Sequence, residues 1–293
     1  MDPRAALRRL GGVAAAGDVL AFTTEWEIGE ALKTSEIVRL SRGRYALDFA
    51  KPARKAAGRL TGVVSHVSAA QIHGWEVLHP PEKPWITVPR NRKVDQDERL
   101  RTELVYGDTR ADVTRALTDP VRTVTDCARR LPFAEALAIA DSALRHRALD
   151  ADALRTAANQ IRGPRAGQVR RVAMHADGRA GNAVESALRA VALMVPELNV
   201  VPQLEIALPG FKVHPDLVDP ELRLVIEADG WLAHGSTPER FAKDLQRYTQ
   251  LVLSRRTVVR FGRDDIVDRP DRVHADLVAA VELVRTQRQT CSR

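Results

Sequence analysis

Hydrophobic and polar positions along this chain change period several times, and each change marks an element. Residues 3–10 have a helix-like apolar spacing that stops at Gly11-Gly12. Thr23 or Thr24 is placed to cap a helix carrying Trp26, Ile28, Ala31 and Leu32 at partial helical spacing. After Ser35 the pattern becomes strand-like, with Ile37, Val38 and Leu40, then SRGR, then Tyr45-Ala46-Leu47. Helix, turn, helix and basic hairpin is the order of a winged helix-turn-helix, predicted here over residues 1–50. Its wing would set Arg39, Arg42 and Arg44 against phosphate or the minor groove. The acidic Glu25, Glu27 and Glu30 on the would-be reading helix oppose DNA.

Residues 55–162 form a second predicted block. KPARKAAGRL reads as an exposed basic connector, followed by an apolar helix (VVSHVSAAQIHGW), a proline-punctuated strand (PPEKPWITVPR) and a strand at TELVYG. DPVRTVTDCARRLPFAEALAIADSALRH reads as two helices broken at Pro132. His66 and His73, seven residues apart, would share a helix face, as metal ligands or, more ordinarily, as packed histidines. Cys127 sits among apolar helix positions and reads as packing. No catalytic constellation appears in this block.

The third block, 165–293, follows a linker-like GPR segment. Helix NAVESALRAVALMV, strand NVVPQLEIAL, FKVHPDLVDP, strand LRLVIEADG, helix RFAKDLQRYTQLVLSR, strand TVVRFG and a closing helix alternate as in an α/β domain. The apolar content of this block predicts a core of its own. The fold class predicted for the whole chain is a multi-domain α+β protein.

Composition sharpens the picture. Lys plus Arg number 45 against 38 Asp plus Glu, a net charge of +7, with only seven lysines among the cations. Arginine's planar fork grips phosphate with two bonds, so nucleic acid is the first partner class to consider. No apolar run reaches the roughly 18 residues of a membrane span, and no signal segment is apparent, which predicts a cytoplasmic protein, nucleoid-associated when on DNA. Two well-separated cysteines, Cys127 and Cys291, support neither a disulfide framework nor a cysteine zinc site.

The candidate chemistry lies in the third block. Asp216 is followed eleven residues later by Glu227 and then by Asp229, which alternation puts on the same side of a strand as Glu227. Carboxylates converging at a strand end form a hard oxygen site suited to Mg²⁺, with Mn²⁺ as substitute. Such a site polarises a phosphodiester and activates water. His234 lies in the following loop, from which it could take a proton from that water. Glu185, on the preceding helix, is a further acid within reach of the metal or its waters. Asp219 and Glu221 read as turn residues.

Two resemblances add to this. LTGVVSHVSAAQIHGW, WITVPR and DPVRTVTDCARRLPFAEALAIADSAL, with RLSRGRYAL before them, resemble the AbiEi-type antitoxins of type IV toxin–antitoxin systems over residues 1 to about 160. That implies DNA binding, transcriptional self-control and a cognate toxin. Glu185-Ser186, HPDLVDP, RLVIEADGWLAH, Lys243-Asp244, Arg247 and VVRF resemble very-short-patch-repair endonucleases of the PD-(D/E)XK superfamily. The resemblance implies Asp216 as principal metal ligand, Glu185 as a helix glutamate at the active site, and His234 as the residue assisting the attacking water. By the wider superfamily it implies a metal role for Glu227 and Asp229. Asp229 stands where the superfamily's lysine is usual, so that charge would come from Lys243 or Arg247 on the next helix, or not at all. Tyr248 replaces a polar residue, and Arg255 stands where glycine is usual before VVRF. The function predicted is a Mg²⁺-dependent DNA endonuclease acting in repair, defence or a toxin–antitoxin setting. The alternative is a non-catalytic DNA-binding regulator or antitoxin. RNA stays open as a substrate, since the site chemistry does not sense the 2′-hydroxyl.

Overall fold

Residues 1–112, 116–229 and 238–291 are described by a computed structural model. The chain is a multi-domain α+β protein that separates into two units. One comprises Met1–Gly74 and His79–Cys127, the other Trp75–Leu78 and Ala128–Arg293.

In the first unit, Asp2 caps helix α1 (Pro3–Arg9) by accepting from the N–H groups of Arg4 and Ala5. Gly11 and Gly12, at φ of +84° and +90°, turn the chain into strand β1 (Val13–Ala15). Helix α2 (Ala16–Leu20) leads to α3 (Glu25–Lys33), closed by a capping box between Thr24 and Glu27. Strands β2 (Val38–Ser41) and β3 (Arg44–Ala46) make the hairpin, and the antiparallel sheet runs β1-β3-β2. This is the connectivity of a winged helix-turn-helix, cored by Leu7, Val19, Ile28, Ile37 and Leu47. On the wing, Arg39 and Arg42 are exposed and Arg44 is half-buried.

Helix α4 (Pro52–Leu60) replaces the exposed connector predicted from its charges. Pro52 suits the first helical position, and Ala56, Ala57 and Leu60 are buried on one face. Small alanines carry that face, so the cations dominate the pattern. A second three-stranded sheet contains β4 (Val63–Val64), then, after helix α5 (His66–Ile72), β5 (Trp85–Pro89), and, after helix α6 (Gln96–Arg101), β6 (Glu103–Gly107). Its order is β4-β5-β6, antiparallel then parallel. The His66 ring stacks on Trp85 with centroids 4.9 Å apart, and His73 Nε2 lies 2.9 Å from the Thr118 carbonyl. Both are packed histidines. Helix α7 (Pro120–Arg130) buries Cys127 and runs on into the second unit.

The second unit begins with helices α8 (Phe133–Arg145), α9 (Ala151–Gln160), α10 (Ala166–His175) and α11 (Ala183–Ala192). Strand β7 (Val201–Pro202), the hairpin β8 (Ile206–Leu208) and β9 (Phe211–Val213), and strands β10 (Leu217–Asp219) and β11 (Leu224–Asp229) follow. Helix α12 (Pro238–Leu253), strand β12 (Thr257–Gly262), α13 (Arg263–Asp268) and α14 (Pro270–Cys291) complete it. The main sheet has the order β12-β11-β10-β7, with β11 and β12 parallel and the other pairs antiparallel. Strand alternation gives it two buried faces. Leu217, Leu224, Ile226 and Phe261 pack in one core with residues of α11, α13 and α14. Val218, Val225 and Val258 pack with Leu251 of α12 and with the β8–β9 hairpin. Arg255, at the position where the resemblance leads to glycine, has φ +57° and so takes the left-handed turn glycine would favour. The first core also takes in Ala138 of α8, and Asp141 of α8 is buried against Arg189 of α11, whose Nη2 donates to both carboxylate oxygens at 2.6 and 2.7 Å. Among the described residues no helix is long and apolar enough to cross a membrane.

Candidate functional site

Antiparallel pairing of Leu217 with Ile226 makes Asp216 and Glu227 the next pair outward on β10 and β11. Pairing of Leu217 with Pro202 brings Gln203 opposite Asp216, and Glu227 pairs with Arg260 on β12. Gln203, Asp216, Glu227 and Arg260 therefore form one transverse row at the end of the main sheet. The strand period places Asp216, Glu227, Asp229 and Arg260 on the face that carries Val218, Val225 and Val258, the face covered by α12.

Each acid has a definite set of donors. Asp216 Oδ2 accepts from the Ala228 N–H at 2.8 Å, and Gln203 Nε2 lies 3.4 Å from its other oxygen. Gln203 also donates to Glu185 Oε2 at 3.1 Å, so one amide ties the helix glutamate to the strand aspartate. Glu185 stands in the first turn of α11, where Asn182 caps the helix. Its carboxylate accepts from Gly181 N–H and from Asn182 Nδ2, both at 2.6 Å. A Cβ on Gly181 would come within 2.9 Å of those oxygens, so a side chain there would push the Glu185 carboxylate from this position. Glu227 is buried and paired with Arg247 of α12, while Asp229 is half-buried and paired with Arg260. The Arg260 guanidinium lies 4.0 Å from the ring centroid of Tyr248.

The electrostatics follow from burial. Desolvation raises the Glu185 carboxyl above its ordinary value, and the neighbouring charge of Asp216 adds to this. Asp216 is raised too, by burial, against the opposing Ala228 N–H and Arg247. Burial pushes Glu227 up to about 7 despite Arg247, and pushes the Tyr248 hydroxyl up to about 12.

The structure thus brings Glu185, Asp216, Glu227 and Arg247 to one end of the sheet, with Asp229 beside them. Lys243 is exposed on α12, and Arg247 is the cation that meets the second acid. His234 lies outside the described residues. Asp219 is more than a turn residue: it is buried and accepts from the N–H groups of Asn199 and Leu222, each at 2.8 Å. Gln203 and Arg260 enter the site without a sequence signal, because both depend on which strands are neighbours. Among the described residues no group of three His, Cys, Asp or Glu side chains is disposed to hold a metal ion. Asp216 and Glu227, side by side, are the carboxylates that could hold a hard cation, since Mg²⁺ often takes only one or two protein carboxylates and completes its shell with water and substrate phosphate.

Comparison with family models and with curated proteins gives no match. Among solved structures, the Rv2827c protein from Mycobacterium tuberculosis is similar at a TM-score of 0.30 and 15% identity, over 71% of this chain and 88% of that one.

Proposed function

We propose that the chain is a DNA-binding protein whose second unit hydrolyses DNA phosphodiester bonds with Mg²⁺ or Mn²⁺, in repair, defence or a toxin–antitoxin setting. The observation that carries this reading is the burial of Glu185 and Glu227 beside the half-buried Asp216 at one end of the main sheet. Carboxylates with raised pKa values cost stability where they stand, and such groups concentrate at sites that use them. Asp216 and Glu227 would hold the cation, which when bound polarises a phosphodiester and acidifies a water. Gln203 fixes Asp216 relative to Glu185. Arg247, whose Nε is buried without a partner among the described residues, offers a positive charge to a phosphate beside Glu227. His234 takes the role of proton acceptor on the strength of the resemblance alone. In the first unit, Arg39, Arg42 and Arg44 supply the duplex contact.

Supercoiled plasmid incubated with Mg²⁺ or Mn²⁺, with EDTA as control, tests the reading. Cleavage by the wild type that is lost in Asp216→Asn and Glu227→Gln, with DNA binding retained, supports it. No cleavage with either metal, together with no metal-induced rise in melting temperature, overturns it.

A second reading is favoured by the ion pairs. Glu227 and Asp229 are each matched by an arginine, and Glu185 is engaged by the Gly181 N–H and the Asn182 amide at the start of α11. In that reading the acids hold the sheet end, and the chain is a non-catalytic DNA-binding regulator or antitoxin. It predicts that Asp216→Asn and Glu227→Gln change stability alone.

A further inference from the structure

Away from the wing, the first unit has a concave surface of about 630 Å³ lined by Arg90, Arg92, Lys93, Val94, Arg99 and Tyr106. The backbone beneath it is well held. Arg92 N–H closes a turn onto the Pro89 carbonyl at 2.9 Å, Asp95 caps α6, and Val88 pairs with Tyr106 across β5 and β6. Arg99 Nε donates to the Val94 carbonyl at 3.0 Å, which fixes the stem of that guanidinium and leaves its outer nitrogens to the cradle. All four cations are exposed, and none has a carboxylate partner among the described residues. Glu98, the nearest acid in sequence to Arg99, is taken by Arg59. The Asp95 side chain accepts from the Glu98 N–H.

Four unneutralised cations around one hollow repel each other until an anion lies among them. A single small anion would satisfy one or two, whereas a polyanion spans a turn, a loop and a helix. The ring of Tyr106, 40% exposed at the edge of this basic surface, is a platform on which an unpaired base can stack. We propose that this cradle holds a segment of single-stranded nucleic acid, its phosphates against Arg90, Arg92, Lys93 and Arg99 and a base on Tyr106. The inference does not rest on the endonuclease reading, since a chain that cuts nothing can hold a strand here.

Fluorescence anisotropy of the full-length chain with a labelled oligothymidylate, and with a duplex as comparison, tests it over a series of KCl concentrations. EDTA throughout removes any cleavage. Tyr106→Ala should weaken single-strand binding by roughly 5- to 150-fold, and Tyr106→Phe should retain it. Arg92→Gln with Lys93→Gln should weaken it and reduce the log–log salt slope by about 0.7 for each phosphate left without its cation. Duplex affinity, carried by the wing, should change little. Unchanged single-strand binding in both variants overturns the proposal. So does an equal loss for strand and duplex with no effect of Tyr106→Ala, which would indicate plain backbone binding. If the charge variant instead loses affinity for polyglutamate and keeps it for the strand, the surface is a dock for an acidic protein and the proposal also falls.

Discussion

At the scale of single residues, Glu227 shows the cost of placing a carboxylate at the end of this sheet. Its folded carboxyl is pushed up to about 7 from an ordinary 4.5. Below pH 4.5 it is protonated in both folded and unfolded chains and costs nothing. Between 4.5 and 7 the unfolded chain releases the proton while the folded one keeps it, so stability falls as pH rises through that window. The loss is on the order of 3 kcal/mol for one group. Glu227→Gln cannot titrate, and its amide oxygen can still accept from Arg247. Urea midpoints taken from pH 4.5 to 7.5 should therefore fall less steeply in the variant than in the wild type. Parallel curves would mean that Glu227 is ionised in both states and that Arg247 outweighs burial. Glu227 and Asp229 were legible in the sequence because alternation along one strand puts them on one side, and Asp216 was legible as an acid spaced eleven residues before Glu227, a distance that the antiparallel pairing of β10 with β11 closes. Gln203 and Arg260 were not, because their places depend on β7 lying beside β10 and β12 beside β11.

Elements too short or too lightly hydrophobic to show a period are where sequence and structure part. Helices α8, α11 and α12 and strands β5, β6, β11 and β12 were legible, each with several branched or large apolar residues at the right spacing. Strands β1 and β4 hold three and two residues, and no period exists at that length. NVVPQLEIAL, predicted as one strand, is two short ones, β7 and β8, with Gln203 between them at φ +53°. Helix α4 was hidden behind its own charges, its buried side built from two alanines, a glycine and a leucine. Two glycines next to these elements can be told apart by what a methyl group would meet. A Cβ on Gly62 would lie 2.6 Å from the Thr87 carbonyl oxygen and 2.8 Å from Ile86 Cγ2. That carbonyl belongs to β5, so relief requires moving a paired backbone. A Cβ on Gly58 would lie 2.6 Å from Leu40 Cδ1 and 3.0 Å from Val13 Cγ1, both ends of side chains. Leu40 is half-buried and can rotate, and alanine is worth about 1 kcal/mol over glycine inside a helix. Gly62→Ala should cost about 1–3 kcal/mol by urea denaturation, the range of an overpacked core. Gly58→Ala should cost clearly less, and the opposite order would mean that Leu40 is locked more firmly than the backbone of β5.

On the scale of the whole molecule, the question is where the second unit begins. Read from the sequence, residues 165–293 suffice for a core, because the strands and helices that carry the candidate chemistry all lie there. In the structure, that core reaches back to α8. Ala138 packs in the same cluster as Leu188 and Ile226, and Asp141 is the carboxylate that neutralises buried Arg189. Arg189 is 4% exposed and donates also to the His175 carbonyl at 2.6 Å. Removing Asp141 would leave a buried guanidinium without its counter-charge, a loss of about 3–5 kcal/mol. Cutting the chain at 165 removes the whole of α8 with it and exposes the apolar side of α11. Leu78 and Glu76, which accepts from the Ala183 N–H at 2.9 Å and pairs with Arg145, come from still earlier in the chain. Residues 128–293 lack Glu76 and Leu78 and keep the Asp141–Arg189 pair. That fragment should melt cooperatively at a midpoint below that of the same unit in the full chain. Residues 165–293 should unfold without a cooperative transition by circular dichroism and bind a hydrophobic dye. Equal, cooperative melts of the two fragments would show that α8 is dispensable and that Arg189 finds its counter-charge elsewhere.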